Sequence, residues 1–272
     1  MLKFDCLQWL VKPVRPGGRL SLHDAAEIGA LHELPVEWLT AKRLLVPNLS
    51  GHTVFHIAAA KGHLDQIPIE FLTEENLLKK DRGGNTVLHA ATCHFEQIPR
   101  SLLTEKNLMV KDRNGCPVFH KLISDGHIEQ IPKEFLSYEN LLKRDNFGAT
   151  VFHIAASKGI LDRLPVLLTA QQLLLRGEFD VTPLHDAALH DNLYKVPRSL
   201  LTEENLMAED SEGVTVLDLA IRRRQLDQVL GIEFSESVRK VVGTEWFDKN
   251  IEFIKAKAAV VDEQEDADIG LF

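Results

Sequence analysis

The segment Gly51-His-Thr-Val-Phe-His-Ile-Ala-Ala59 decides the fold, because close copies of it recur along the chain. Its second histidine, His56, is followed by histidines in the same context at steps of 33, 31, 33 and 32 residues, namely His89, His120, His153 and His185. Counting back 33 residues reaches His23 in SLHDAA, and counting forward 33 reaches Asp218 in GVTVLDLA. A period in the low thirties over seven copies predicts a protein of stacked structural repeats.

The repeated phrase Gly-x-Thr-Val/Pro-Leu/Phe-His-x-Ala-Ala resembles the ankyrin repeat, whose signature is Thr-Pro-Leu-His-x-Ala at a period of about 33 residues. The copy from Val181 to Ala188, VTPLHDAA, carries that signature unchanged. The resemblance extends over roughly Gly18 to Ser235. It implies an all-α ankyrin-repeat solenoid of about seven repeats, with short helical caps at both ends and a concave surface that binds partners.

The repeat register predicts the domain organisation. An N-terminal capping segment (1–17) precedes repeats at about 18–50, 51–83, 84–114, 115–147, 148–179, 180–212 and 213–235. C-terminal capping helices (236–260) and an acidic tail (261–272) follow. Caps are expected because the end repeats of a stack otherwise expose apolar surface. We expect the tail to be disordered, the alternative being a short acidic-apolar docking motif.

Within a repeat, the pattern predicts one firm helix followed by several short ones. Thr53 can cap a helix over Val54–Lys61, and Gly62 is placed to end it. Prolines recur in the second half of the repeats, at Pro35, Pro68, Pro99, Pro132, Pro165 and Pro197. Because a proline inside a helix costs about 3 kcal/mol, the second helix is predicted to be broken into short, partly 3₁₀ turns. A short third helix should follow the hydroxyl residues Thr40, Thr73, Thr104, Ser137, Thr169, Thr202 and Ser235.

The third copy is shorter than its neighbours. Ten residues separate His89 from Pro99, whereas twelve separate the equivalent residues of the second and fourth copies. The missing residues fall at the glycine turn after the first helix. We therefore predict a shortened helix and a local change in stacking near Cys93 and His94.

Composition excludes several classes of partner. A net charge of -9 disfavours nucleic acid, whose phosphates require a basic surface. No stretch approaches the roughly 20 apolar residues that span a membrane, and the start MLKFDCLQWLVK is interpreted as a capping helix instead of a signal peptide. Three cysteines without paired spacing predict a reducing, cytoplasmic location.

The histidines do not predict a metal site. Zinc requires several ligands about 2 Å from one ion, whereas packed elements of neighbouring repeats are about 8–10 Å apart. Each imidazole is expected instead to bond the backbone at a turn and tie adjacent repeats together.

Catalytic motifs are equally missing from the sequence. It contains no Gly-x-Ser-x-Gly, no glycine-rich phosphate loop with lysine and no His-Glu-x-x-His. We therefore predict no cofactor, no small-molecule substrate and no enzymatic activity. A catalytic protein would require a deep pocket with three or more ordered polar side chains.

Positions that differ between copies are the candidates for recognition. They follow each repeat histidine or precede each turn glycine or its aspartate substitute. The predicted partner-binding residues are Arg82, Arg113, Lys121, Asn146, Phe147, Ile154, Glu178, Phe179 and Asp186. Phe147 and Phe179 occupy the same turn position in adjacent repeats. They are either an aromatic anchor for a partner or residues that pack together to stiffen the turns.

The sequence thus predicts a non-catalytic scaffold or adaptor that binds a protein or peptide on its concave face. The alternative is an inhibitory or immunity-type subunit that blocks a partner enzyme through the same surface. A stoichiometric inhibition assay would separate the two.

Overall fold

The computed structural model describes residues 20–225. Within this range the regular elements are α-helices and 3₁₀ helices, and β pairing is limited to isolated bridges such as Lys80 with Thr86. None of the helices in this range is long and apolar enough to cross a bilayer. The predicted capping segments, the acidic tail and the end of the last repeat lie outside the described residues.

Thirteen α-helices follow one another through residues 20–225. They are α1 (Leu22–Ile28), α2 (Ala41–Leu44), α3 (Val54–Lys61), α4 (Glu74–Leu77), α5 (Val87–Ala90), α6 (Glu105–Leu108), α7 (Val118–Ser124), α8 (Tyr138–Leu141), α9 (Val151–Lys158), α10 (Ala170–Leu173), α11 (Pro183–Leu189), α12 (Glu203–Leu206) and α13 (Val216–Arg222). The odd-numbered helices are the first helices of the repeats, and the even-numbered ones are the short third helices.

Between them lie 3₁₀ helices of three to six residues. These are Leu31–Glu33, Val36–Trp38, Leu64–Gln66, Ile69–Phe71, Thr92–Gln97, Arg100–Leu102, Ile128–Gln130, Lys133–Phe135, Leu161–Arg163, Glu178–Asp180, Leu193–Lys195 and Arg198–Leu200. The recurring proline generally separates two of them, and Pro68, for example, has an extended backbone with ψ 132°. The prediction that proline breaks the second helix is therefore confirmed.

The short third helices share a side-chain cap. The hydroxyls of Thr73, Thr104, Ser137 and Thr202 each accept a hydrogen bond from the N–H of the asparagine three residues on. That asparagine is buried, and its Nδ2 donates to the carbonyl five residues before it, as in Asn76 to Phe71 at 2.8 Å. Four-residue helices cannot persist alone, so these side-chain bonds and burial hold them in place.

The third repeat departs from the others where predicted. Its first helix, α5, has four residues, and His94 interrupts the following 3₁₀ segment with φ -137°. Phe95 stands where the equivalent 3₁₀ helices carry leucine or isoleucine, and its side chain is 1% exposed. The predicted shortening near Cys93 and His94 is confirmed.

Contacts divide the chain into two units after Val151, at the start of α9. In the first unit α1 packs on α3, α3 on α5 and α5 on α7; in the second, α11 packs on α13. From His56 to His185, the residue before each repeat histidine fills the core and is at most 1% exposed, in the set Phe55, Leu88, Phe119, Phe152 and Leu184. Burying each such side chain contributes about 2 kcal/mol.

Candidate functional site

The repeat histidines form a series of backbone ties. In each tie, the histidine Nε2 donates to the carbonyl of a residue just before the first helix of the next repeat, over 3.1–3.2 Å. The pairs are His23 with His52, His56 with Asn85, His89 with Cys116, His153 with Val181, and His185 with Val214. The predicted role is confirmed for these five histidines. His120 departs from the series: its ring is buried beside that of Phe119, with ring centroids 6.3 Å apart, and Pro117 stands at the cap where the other helices generally have threonine.

The other ring nitrogen shows which tautomer is present. Nδ1 of His56, His89 and His185 accepts the backbone N–H of the capping threonine three residues earlier, at 3.1–3.2 Å. Since a backbone N–H can only donate, the ring proton resides on Nε2. Burial lowers the pKa of these three histidines, more than their carbonyl partners raise it. The imidazoles are therefore neutral structural groups, not available ligands.

Asp218 shows what the histidine contributes at the cap. Its Oδ2 accepts from the backbone N–H of Thr215 at 2.9 Å and from the Thr215 hydroxyl at 2.7 Å. The carboxylate reproduces the capping half of the role. It has no donor with which to reach a carbonyl, so it cannot reproduce the tie.

The turns between repeats are built on one pattern, and we call each five-residue turn a tip. The tips are 48–52, 81–85, 112–116, 145–149, 177–181 and 210–214. The first residue of a tip is generally an aspartate whose Oδ1 accepts the N–H of the fifth residue, as from Asp81 to Asn85 at 2.8 Å and Asp145 to Ala149 at 2.9 Å. The fourth is a left-handed glycine with φ 71–82°, except that Asp180 takes its place with φ 55°. The tips are therefore rigid.

Backbone bonds also connect successive tips within a unit. The second residue of a tip donates to the third residue of the preceding one, from Arg82 to Ser50, Arg113 to Gly83, and Ser211 to Phe179 at 2.9–3.3 Å. The residues at these second and third positions are exposed. They are the positions at which the copies differ.

Five of the predicted site residues belong to the first unit. Arg82, Arg113, Asn146 and Phe147 are exposed on tips, and the Phe147 ring is 53% exposed. Lys121 lies half-buried on α7, and its Nζ donates to both carboxylate oxygens of Asp125 at 2.7 and 2.8 Å. The hydroxyl of Thr92 donates to the same carboxylate at 2.7 Å. Lys121 is therefore engaged inside the protein, unlike the four tip residues.

The remaining four belong to the second unit. Glu178 and Phe179 are exposed on the tip 177–181, where Phe179 is 69% exposed and has φ 55°. Ile154 and Asp186 are half-buried and each directly follows a repeat histidine, on α9 and α11. Phe147 and Phe179 fall in different units, and each is the third residue of its tip.

A groove of about 380 Å³ lies between tips and first helices in the first unit. Its walls include Ile57, the small Ala60 and Ala90, and the pair formed by His52 Nε2 and Asp81 Oδ2 at 3.1 Å. Burial raises the pKa of Asp81, but the bonds from Asn85 outweigh it and the net pKa is lowered. The groove is open and mixed in polarity, as a surface for a protein segment would be.

Larger furrows of about 480 and 710 Å³ follow the proline segments. They open where short 3₁₀ turns replace a continuous second helix. Residues 20–225 contain no group of three or more potential metal ligands. Cys93 and Cys116 are free thiols, and burial raises the pKa of Cys116 to about 11. The raised pKa makes the Cys116 thiol a weak nucleophile at neutral pH.

Two features of the site were missed from the sequence. The tip aspartates are Asp81, Asp112, Asp145 and Asp210, and each lies four residues before the last residue of its tip. This recurring spacing could have identified them. Leu49 was also omitted, although it is the second residue of its tip and 88% exposed.

Comparison with solved structures identifies the fold. The chain matches the crystal structure of the ankyrin repeat domain of Bcl-3, described as a unique member of the IkappaB protein family, with a TM-score of 0.54 and 21% identity. The match covers 79% of this chain and 99% of that one. No protein-family model and no curated protein matches the sequence. The chain has the ankyrin-repeat fold predicted from its repeated phrase.

Proposed function

We propose that this ankyrin-repeat chain is a non-catalytic scaffold or adaptor of the cytoplasm that binds a protein or peptide. The fold is in general a protein-interaction module. We define the recognition surface as the second and third residues of each tip together with the residue that follows each repeat histidine. This surface contains all nine predicted partner-binding residues.

One observation carries the proposal: the residues common to the repeats have partners within the fold, whereas the variable tip residues are exposed. The tie histidine His56, the tip aspartate Asp81 and the capping residue Thr86, for example, each have a hydrogen-bond partner within the fold. Phe147 and Phe179 in contrast expose 53% and 69% of their surfaces. Aromatic side chains in such positions are frequent binding hot spots.

Rigidity of the tips strengthens this argument. Asp145 Oδ1 accepts the N–H of Phe147 itself as well as that of Ala149, both at 2.9 Å. The carbonyl of Phe179 accepts from Ser211 at 2.9 Å. A side chain on a fixed backbone loses little entropy when a partner binds, so more of the contact energy appears as affinity.

The test removes both rings in the full-length chain. We expect Phe147→Ala/Phe179→Ala to lose the protein captured by the wild type from a lysate, as detected by pull-down and mass spectrometry, and to weaken its affinity by about tenfold or more. The melting temperature should change little, because exposed substitutions usually alter stability by no more than about 0.5 kcal/mol.

The matched control is Tyr138→Ala/Tyr194→Ala, which removes two exposed aromatic side chains outside the recognition surface, one in each unit. It should retain the partner. If the phenylalanine variant melts far lower and binds normally, the two rings stiffen the turns instead. If both variants bind normally, the recognition surface is wrong.

A further inference from the structure

Asp186 differs from every other half-buried aspartate among residues 20–225. Seven of the eight accept hydrogen bonds from the protein, and these are Asp24, Asp81, Asp112, Asp125, Asp145, Asp210 and Asp218. The Asp186 carboxylate has no hydrogen bond and no ion pair with any described residue. Buried carboxylates are normally paired, so an exception calls for an explanation.

The positions equivalent to Asp186 in the adjacent repeats carry apolar residues. Asp186 lies on α11 directly after the repeat histidine, and the same position carries Ile154 on α9 and Leu219 on α13, both half-buried. Helix α11 packs on α13, and His153 ties α9 to the tip before α11 through the carbonyl of Val181. A carboxylate thus occupies a position that its neighbours along the surface fill with aliphatic side chains.

No lysine or arginine among residues 20–225 forms an ion pair with this carboxylate. His190 lowers the pKa of Asp186, but to a smaller extent than burial raises it, and its Nδ1 donates to the Asp186 backbone carbonyl at 2.9 Å and not to the carboxylate. Lys158, at the end of α9, and Arg222, at the end of α13, make no ion pair with it. The acidic tip residues Glu178 and Glu212 could only repel it.

This arrangement costs the free protein stability. Burial raises the pKa of Asp186 from 3.8 to about 6, so at neutral pH the protein retains a desolvated, unpaired charge. Groups that reduce stability in the free protein often serve binding, because the partner supplies what is missing. A carboxylate that has already lost much of its water forms a stronger ion pair than an exposed one.

We propose that Asp186 receives the arginine or lysine side chain of the partner, whose aliphatic stem lies against Ile154 and Leu219. This inference rests on the proposed function and adds the chemistry of the partner, a segment with a basic residue. A metal ion would need further ligands, and residues 20–225 offer no group of three. The chain's net charge of -9 attracts a basic segment over longer distances.

The test uses N-acetyl-arginine methylamide as the probe and its neutral isostere N-acetyl-citrulline methylamide as the control. Both are titrated into the full-length chain at pH 7.5, and NMR follows the Asp186 side-chain carboxyl carbon and the methyl groups of Ile154 and Leu219. We expect saturable shifts of these signals with the arginine probe. The citrulline probe should leave them unchanged.

Two variants complete the test. Asp186→Asn should weaken the probe's apparent affinity by about tenfold. The matched variant Asp180→Asn removes an exposed aspartate that already lies 3.6 Å from Arg176, and it should leave the affinity unchanged. Equal shifts with citrulline, equal shifts in Asp186→Asn, or shifts confined to exposed carboxylates such as Glu178 overturn the proposal.

Failure of this inference and failure of the proposed function are distinguishable. If the phenylalanine variant loses its partner while Asp186→Asn responds to the probe as the wild type does, the recognition surface stands and the cation site does not. If Asp186 binds the arginine probe but removal of the two phenylalanines leaves partner binding unchanged, the cation site is supported. The role of the tips in partner binding is then wrong.

Discussion

At the scale of single residues, one side chain serves two repeats. The imidazole of His185 accepts the Thr182 N–H at the start of its own helix and donates to Val214 at the start of the next. Asp218 provides only the first of these bonds. Asp186, beside His185, provides neither, and its half-buried charge has no hydrogen-bond or ion-pair partner among residues 20–225.

Asp186→Asn should therefore stabilise the protein at neutral pH. The shift from 3.8 to about 6 sets an upper limit of about 3 kcal/mol, and partial solvent access reduces the expected gain to about 1–2 kcal/mol. Because the folded-state pKa is raised, the destabilisation is complete above about pH 6 and vanishes below about pH 3.8. Urea unfolding of the variant and the wild type at pH 7.5 and pH 4 checks this. An equal gain at both pH values would contradict it.

At the scale of elements, the broken second half of the repeat is held by side chains that reach the preceding repeat. Gln97 is the clearest case, since its Oε1 accepts from Leu64 N–H at 2.9 Å and its Nε2 donates to the Gly62 carbonyl at 2.7 Å. Gln130 has the same place in the next repeat, but its buried Oε1 has no partner among the described residues. The shortened third repeat, which precedes Gln130, accounts for the difference.

These two glutamines form a matched pair for mutation. Gln97→Leu should destabilise the chain by about 2–3 kcal/mol, because it leaves the Leu64 N–H and the half-buried Gly62 carbonyl without these partners. Gln130→Leu should be nearly neutral or slightly stabilising, because it removes an unsatisfied polar atom. The two variants are compared by their midpoints of urea unfolding. A larger loss of stability for Gln130→Leu than for Gln97→Leu would contradict the roles assigned to the two glutamines.

At the scale of the whole molecule, neutral histidines make the fold sensitive to acid. The pKa values of His56, His89 and His185 are lowered in the folded state, so the unfolded chain binds protons more readily. Stability is then complete above about pH 6.5, the ordinary histidine pKa, and falls as the pH drops below it. Because histidines in both units contribute, the effect is not confined to one part of the chain.

Unfolding midpoints at pH 7.5, 6.5 and 5.5 should therefore decrease in that order. The measurement is best made in Asp186→Asn, since the ionisation of Asp186 changes stability in the opposite direction between about pH 6 and 3.8. His32, exposed and outside the tie series, is a suitable control. His32→Gln should keep the wild-type pH dependence, and a loss of that dependence in the control would refute the role of the buried histidines.

The sequence by itself determined the all-α ankyrin-repeat fold, the broken second helix and the role of the histidines, because each follows from a local rule applied many times. The 33-residue period can be read directly from the order of the residues. A proline in a helical stretch and a threonine before an apolar run affect only residues close to them in sequence. Only the tertiary structure decided which variable residues are available to a partner. Lys121 and Asp186 hold the same repeat position, yet Asp125 pairs with Lys121, whereas no side chain of residues 20–225 forms a hydrogen bond or an ion pair with the carboxylate of Asp186. Pairing depends on which side chains meet in space, and a repeat register does not specify that.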